Sequence, residues 1–321
     1  SINFCEMNSD TPSGEAETVV INQLLHPFHP TLLDPNAQFE AEFVRMVAAC
    51  GASLNPVAAS LQPSIGILYP TDLPEDLSMI ALYQQWFQQR GYRVTLGSPY
   101  NLHRAANGTI TLFDQPIQAL IRHYKTDWWG ERLPIWLDEA PFNDPEPLSE
   151  HLLPLLQADA EGYVAVVNPF GSVLTQNKLA MAFFWDHIGL FSEATRQAIR
   201  TYLPETRRLD DMPLGMPQRD SWVLKSDYGC EGDEVIIGPH VSDKIWKDSL
   251  REAVPERWVA QRYFQPQLVD QAVQNYGVYL IAGQPAGIFT RLSKQATDYS
   301  AVVAPTFVGK ERNHRDTTRE K

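Results

Sequence analysis

Apolar and polar positions along this chain alternate between strand-like and helix-like spacing. Ile2-Asn-Phe-Cys-Glu-Met7 reads as a strand, and the polar turn Asp10-Thr-Pro-Ser-Gly14 follows it. Over residues 36–50, Phe39, Phe43, Met46, Val47 and Cys50 recur at helical spacing, with Gly51 as the stop. A strand–helix–strand unit comes next. Ile65–Tyr69 is an apolar strand, 75–90 an amphipathic helix ended by Gly91, and Tyr92–Leu96 a second strand. That order predicts a parallel sheet covered by helices. Asn107-Gly108 marks a hairpin before the β-prone Thr109–Phe113. The acidic, proline-rich stretch 138–150 reads as a linker or surface loop.

The second half restarts with a strand at Tyr163–Val167 and a helix over about 175–189. A strand at Ser221–Lys225 runs into a glycine-bearing turn, and pairing resumes at Glu234–Ile237. A helix near 244–252, a strand at Trp258–Phe264 and a hairpin of 277–282 with 286–292 complete the ordered part. The last dozen residues mix five basic with three acidic side chains and no apolar pattern, which predicts a solvated, mobile tail. The fold class is therefore α/β with α+β portions.

Composition narrows the function classes. The 321 residues suit about two domains, and the 44% apolar share is ample for a core. No run approaches the roughly 18 apolar residues of a membrane helix. No secretory or transit signal is evident, although the opening at Ser1 without Met suggests a trimmed N-terminus or a fragment. A net charge of −13 opposes binding to nucleic acid and suits a cationic substrate such as a polyamine, although it also simply favours solubility. Three scattered cysteines, Cys5, Cys50 and Cys230, fit a reduced cytoplasm.

Four segments carry candidate chemistry. Trp222-Val-Leu-Lys225 precedes Ser-Asp-Tyr-Gly-Cys-Glu-Gly232. A strand lysine beneath a glycine loop can hold nucleotide phosphates, since Gly229 and Gly232 let backbone amides approach. Val259-Ala-Gln261-Arg-Tyr263 could line an adenine with apolar faces and an amide edge. Lys178, in Gln176-Asn-Lys178 at a helix start, could reach toward the same phosphates. Glu6 and Asn8, two apart on the first strand, offer hard oxygen ligands suited to Mg2+, while Thr11, Ser13 and the backbone at Gly14 offer donors to an anion. Each segment alone also fits an ordinary hairpin lysine, a buried strand, a solvated helix start or an Asx turn.

Taken in order, these segments resemble the synthetase domain of the glutathionylspermidine synthase family. The likeness runs from the first residues to about Phe307. It is carried by Glu6–Ser13, Asp72–Asp76, Tyr124–Trp129, Asn177-Lys178, Val223–Gly232, Gln261 and Phe289-Thr-Arg291. The resemblance implies an ATP-grasp fold. Because Glu6 and Asn8 precede the lysines, its parts would run in circularly permuted order. Residues 1–60 would form the metal- and substrate-binding part, 61–150 a pre-ATP-grasp-like domain, 151–309 the nucleotide-binding subdomains and 310–321 the tail.

It also implies ligase chemistry: ATP phosphorylates a carboxylate and an amine displaces phosphate from the acyl phosphate. Glu6 and Asn8 would hold Mg2+, while Lys178, Lys225, Gly229, Gly232, Gln261 and Tyr263 would hold ATP. Arg291 would stabilise the phosphoryl group, Thr11 and Ser13 the carboxylate substrate, and Glu75 and Asp76 the other substrate groups. The family's substrates are glutathione and a polyamine. This chain has Cys230 where the family has arginine. It lacks the family's upstream Arg-x-Asp element and its amidase domain, so no hydrolase activity is expected. A ligase acting on another peptide or amino acid, and a nucleotide-binding protein without catalysis, are the alternatives.

Overall fold

The computed structural model describes residues 2–309 except Asp72, 130–132, 142–143, 145–146, 214–217, 230–233 and 295–299, and leaves the Glu75 side chain undescribed. The expected tail, Gly232 and Cys230 therefore lie outside the described residues.

A four-stranded parallel sheet occupies the first half, in the order Arg93–Gly97, Ser64–Leu68, Ala119–Arg122, Ala165–Val167. The Ser64–Leu68 strand is buried at every position, as a strand covered on both faces must be. Side chains divide by parity. Ile65 and Ile67 join Ala119 and Ile121 in a core with Phe39, Phe43, Val47, Tyr83, Trp86 and Phe87. Those aromatics come from helices Phe39–Gly51 and Leu77–Gln88. Leu68 and Leu120 point the other way, to Leu155 of helix Ser149–Ala160 and to a small antiparallel sheet of Leu102–Arg104, Ile110–Leu112 and Gln115–Ile117. Gly66 permits that approach, since a Cβ there would sit 2.8 Å from Ile117 Cδ1.

The second half supplies two antiparallel sheets. One runs Val235–Ile237, Trp222–Ser226, Trp258–Arg262, Thr206–Arg208. Trp222, Leu224, Trp258 and Ala260 bury one face against Trp246 of helix Asp243–Glu252. The opposite face carries Val223, Lys225, Val259, Gln261 and Thr206, paired as Val223 with Gln261, Lys225 with Val259 and Gln261 with Thr206. The other sheet centres on the hairpin Ala272–Ile281 with Gln284–Ser293. Its Tyr279 packs edge-on against Phe39 at 4.9 Å, which joins it to the first core.

Three expectations need correction. Residues 2–7 form no strand, because among the described residues they pair with no neighbouring strand; Phe4 N makes a single backbone bond, to Tyr202 O at 2.8 Å. The helix expected over 175–189 is two, Val173–Gln176 and Leu179–Asp186. Asn177 breaks it, extended at ψ 124° with its Oδ1 accepting from Leu179 N at 2.7 Å. Gly51 is the last residue of its helix rather than the residue past it. Among the described residues no helix is long and apolar enough to cross a membrane.

Candidate functional site

The opening segment crosses the polar face of the Lys225 sheet. Gln261 Nε2 donates to Cys5 O at 3.5 Å and to Thr206 Oγ1 at 3.1 Å. Glu6 thereby meets the start of helix Leu179–Asp186, where its Oε2 lies 3.8 Å from Lys178 Nζ. Lys178 Nζ also donates to Gly229 O, and its backbone N donates to Asp227 O at 2.9 Å. The break at Asn177 is what turns Lys178 toward this loop. Asp227 is fixed in turn by Arg257, with Nε and Nη2 donating at 2.6 and 2.9 Å. Ser226 Oγ accepts from Gly229 N at 3.0 Å and sets the first turn of the loop.

Lys225 is 9% exposed, and among the described residues no carboxylate comes within ion-pairing distance of it. It does act on the Cys5 thiol, whose pKa burial raises, Lys225 lowers and Glu6 raises again. Glu6, Lys178, Lys225, Gly229 and Gln261 are thus brought together. Asn8, two residues beyond Glu6, is exposed. Tyr263 is placed elsewhere: its ring meets His240 at 6.1 Å, and its N donates to Ser221 O at 2.9 Å.

The next turn is anchored to the parallel sheet. Gln176 Oε1 accepts from Ser9 N and Asp10 N at 3.0 and 2.8 Å. Asp10 Oδ1 accepts from Arg122 Nη2 at 2.6 Å and from Thr126 Oγ1 at 2.5 Å, and its Oδ2 from Thr126 N at 2.8 Å. Arg122 ends its strand fully buried, with Phe170 under its guanidinium at 4.6 Å. Burial lowers the Arg122 pKa and Asp10 opposes that. Neither residue was among the sequence candidates. Asp10 sits inside the Glu6–Ser13 stretch, but its partner lies 112 residues away.

Thr11, half-buried, and Ser13, exposed, follow this anchor. Ser13 O accepts from Tyr279 OH at 3.1 Å, and Gly14 at φ +97° lies against the Phe289 ring. Arg291 shares the strand face of Phe289, two residues on. Its guanidinium is 5.8 Å from the Phe289 centroid, and its Nε is buried without a hydrogen-bond partner among the described residues. Arg291 thus flanks the Thr11–Gly14 turn. Asp76 pairs with His123 Nε2 at 3.2 Å, beside Arg122 at the carboxyl end of the parallel strands. Substrates of open α/β sheets bind at such ends. Glu75 precedes Asp76, but its side chain is outside the described set.

Two surface hollows of about 380 and 340 Å³ lie away from these groups, one between Gln38, Arg45 and Pro285, the other around His103 and His151. Gln261 and Lys178 meet the opening segment instead, and Lys178 also meets Gly229 of the loop.

A family described as glutathionylspermidine synthase preATP-grasp matches residues 1–309. No curated protein matches. One similar solved structure is that of a candidate gamma-glutamylcysteine synthetase of Methylobacillus flagellatus KT. It is 13% identical, with 87% of this chain and 74% of that chain covered and a TM-score of 0.44, too distant a likeness to carry an argument.

Proposed function

The chain belongs to the glutathionylspermidine synthase pre-ATP-grasp family, and on that premise we propose that it is an ATP-dependent carboxylate–amine ligase. The observation that carries this reading is Lys225: a lysine 9% exposed with no carboxylate in ion-pairing reach among the described residues, beside the same Cys5-Glu6 stretch that meets Lys178. A buried cation without a counter-charge is costly, and an oligophosphate removes that cost. Lys178 and Lys225 would grip the phosphates, with the Gly229 and Gly232 backbone as donors. Gln261 would border the base from beneath the opening segment, whereas Tyr263, placed against His240, is not part of this reading.

A divalent metal fits as a passenger of the nucleotide. Among the described residues no three Asp, Glu, His or Cys side chains gather as a preformed centre. Glu6, 38% exposed beside Lys178, and Asn8 after it are oxygen donors of the kind Mg2+ takes, the rest of its shell coming from phosphate and water. When bound, it would neutralise phosphate charge.

The chain's own part is positioning and charge neutralisation. Thr11 and Ser13 would orient the carboxylate so that its oxygen attacks the γ-phosphorus as the bond to ADP breaks. Arg291 would face the charge on the transferred phosphoryl group. Asp76, held by His123, would orient the amine, which attacks the acyl carbon and expels phosphate, losing a proton as the amide forms. In this reading the fold is a circularly permuted ATP-grasp. Residues 1–60 carry the metal side, 61–150 the pre-ATP-grasp-like domain and 151–309 the nucleotide side. Glutathione or another small peptide is the proposed acid and a polyamine the proposed amine.

The experiment is a melting curve with and without ATP and Mg2+, followed by ADP release against panels of acids and amines. ATP with Mg2+ should raise the melting temperature, and ADP should appear only when a matching acid is present. No shift at saturating ATP would end the nucleotide reading.

A further inference from the structure

Behind the Thr11–Gly14 turn lies a group with no role in the reading above. Glu15 opens the first helical segment and is 3% exposed. Elements from across the sequence surround it. Tyr83, from helix Leu77–Gln88, hydrogen-bonds its carboxyl group. Tyr279, from strand Ala272–Ile281, stands beside it and donates its hydroxyl to Ser13 O at 3.1 Å. Asp76, paired with His123, and Glu17 on its own helix add negative potential. No cation is among the groups that act on it.

Glu15 Oε2 has no hydrogen-bond partner among the described residues. The turn that precedes it is tightly fitted: a Cβ on Gly14 would lie 3.0 Å from both the Phe289 ring and the Tyr279 hydroxyl. Thr18 N and Oγ1 close the turn onto Gly14 O at 3.0 and 2.6 Å.

An ionised carboxylate does not persist in such a place: water is excluded, two acids lie nearby and one oxygen has no donor. Burial pushes Glu15 up to about 8, with its own backbone N–H and Tyr83 opposing and Glu17 and Asp76 reinforcing the rise. We propose that Glu15 is a positioning residue, a neutral carboxylic acid that locks the Thr11–Gly14 turn between Tyr83 and Tyr279 and releases that turn when it loses its proton. The proposal rests on Thr11 and Ser13 being contacts to the carboxylate substrate, and it adds a pH limit to that subsite.

The test has two readouts on the full chain. Hydrogen exchange of peptides covering residues 11–18, corrected for intrinsic rate, should quicken between about pH 7 and pH 9 in wild type and not in Glu15→Gln. Glu15→Met replaces it should the glutamine variant fail to fold. An equal step in both, or none in wild type, overturns the proposal.

With glutathione as probe acid, KM should rise about tenfold across that interval while kcat holds, because only the protonated fraction has a formed turn. In Glu15→Gln the KM should stay level. A KM that climbs equally in both also overturns it. If wild type turns over none of the acids tried, the ligase reading fails and the exchange result alone decides on Glu15.

Discussion

Asp10→Ala removes the pin that holds the opening segment against the parallel sheet. The pair it breaks is deeply buried, with Arg122 at 0% and Asp10 at 3% side-chain exposure. After truncation the guanidinium keeps Nε on Asn168 O at 2.8 Å and Nη1 on Tyr124 O at 2.6 Å. It is not stripped of acceptors, but its charge has no anion. Thr126 N and Oγ1 lose their acceptor as well. Removing one partner of such a pair costs about 3–5 kcal/mol. At roughly 2–4 °C per kcal/mol for a chain of this class, the melting temperature should fall by about 10 °C.

Thermal and urea denaturation measure that directly. The double variant Asp10→Leu with Arg122→Met should recover much of the loss, because two apolar groups leave no stranded charge. A melting point for Asp10→Ala within about 2 °C of wild type, set against that expected shift, would refute the anchoring argument. The placement of Glu6, Thr11 and Ser13 would then need another cause.

Lys225→Ala should weaken ATP binding by about 2 kcal/mol, some thirtyfold, as the loss of one charge-assisted phosphate contact, with little change in fold; calorimetric titration with ATP and Mg2+ checks it, and an unchanged affinity counts against the phosphate role. Glu15 makes stability depend on pH. Its pKa is raised on folding, so its contribution is full below about 4.5 and is lost as pH rises toward about 8. The span is on the order of 5 kcal/mol, and Glu15→Gln should flatten this part of the urea-stability profile. Gly238→Ala should cost about 3 kcal/mol by overpacking, since a Cβ there would meet Arg219 O at 1.8 Å; a melting curve like that of wild type would contradict the tight seam between residues 219 and 238.

Some of this was legible in the chain and some was not, for identifiable reasons. The parallel unit was readable because Ser64–Leu68 is apolar on both faces and Gly91, at φ +81°, closes the helix before it. Strand Ala119–Arg122 was not, since four residues ending in a charge show no period. Helix Glu193–Tyr202 was missed although it carries a helical period and a cap, Ser192 Oγ accepting from Thr195 N; with Ile199 its one buried side chain, its apolar face is thin. Strand spacing at residues 2–7 was genuine but lacked a neighbour to pair with, and alternation alone makes no ladder.

For the site, alternation correctly put Val223 and Lys225 on one face, and pairing set Gln261 beside them. Asp10 with Arg122 stayed invisible because nothing local relates residues so far apart. Glu15 stayed invisible because an acid in Glu-Ala-Glu-Thr reads as solvated; only the folded contacts of Tyr83 and Tyr279 remove its water.

The net charge of −13 and an anionic ligand are compatible once distance is considered. Surface acids act through water and salt, and beyond about 8 Å their field is largely screened. Lys178 and Lys225 are buried at 5% and 9% exposure, where screening is weak and each interaction is stronger. Glu6 of the opening segment lies 3.8 Å from Lys178. The same segment runs on through Asp10 to the Thr11–Gly14 turn, so the Glu6 contact to Lys178 and the turn proposed to orient the acid share one strip of backbone. Anything that shifts this strip moves the Glu6 contact and the Thr11–Gly14 turn together, which is why the anchor at Asp10 and the lock proposed at Glu15 bear on the lysine site despite their distance from it.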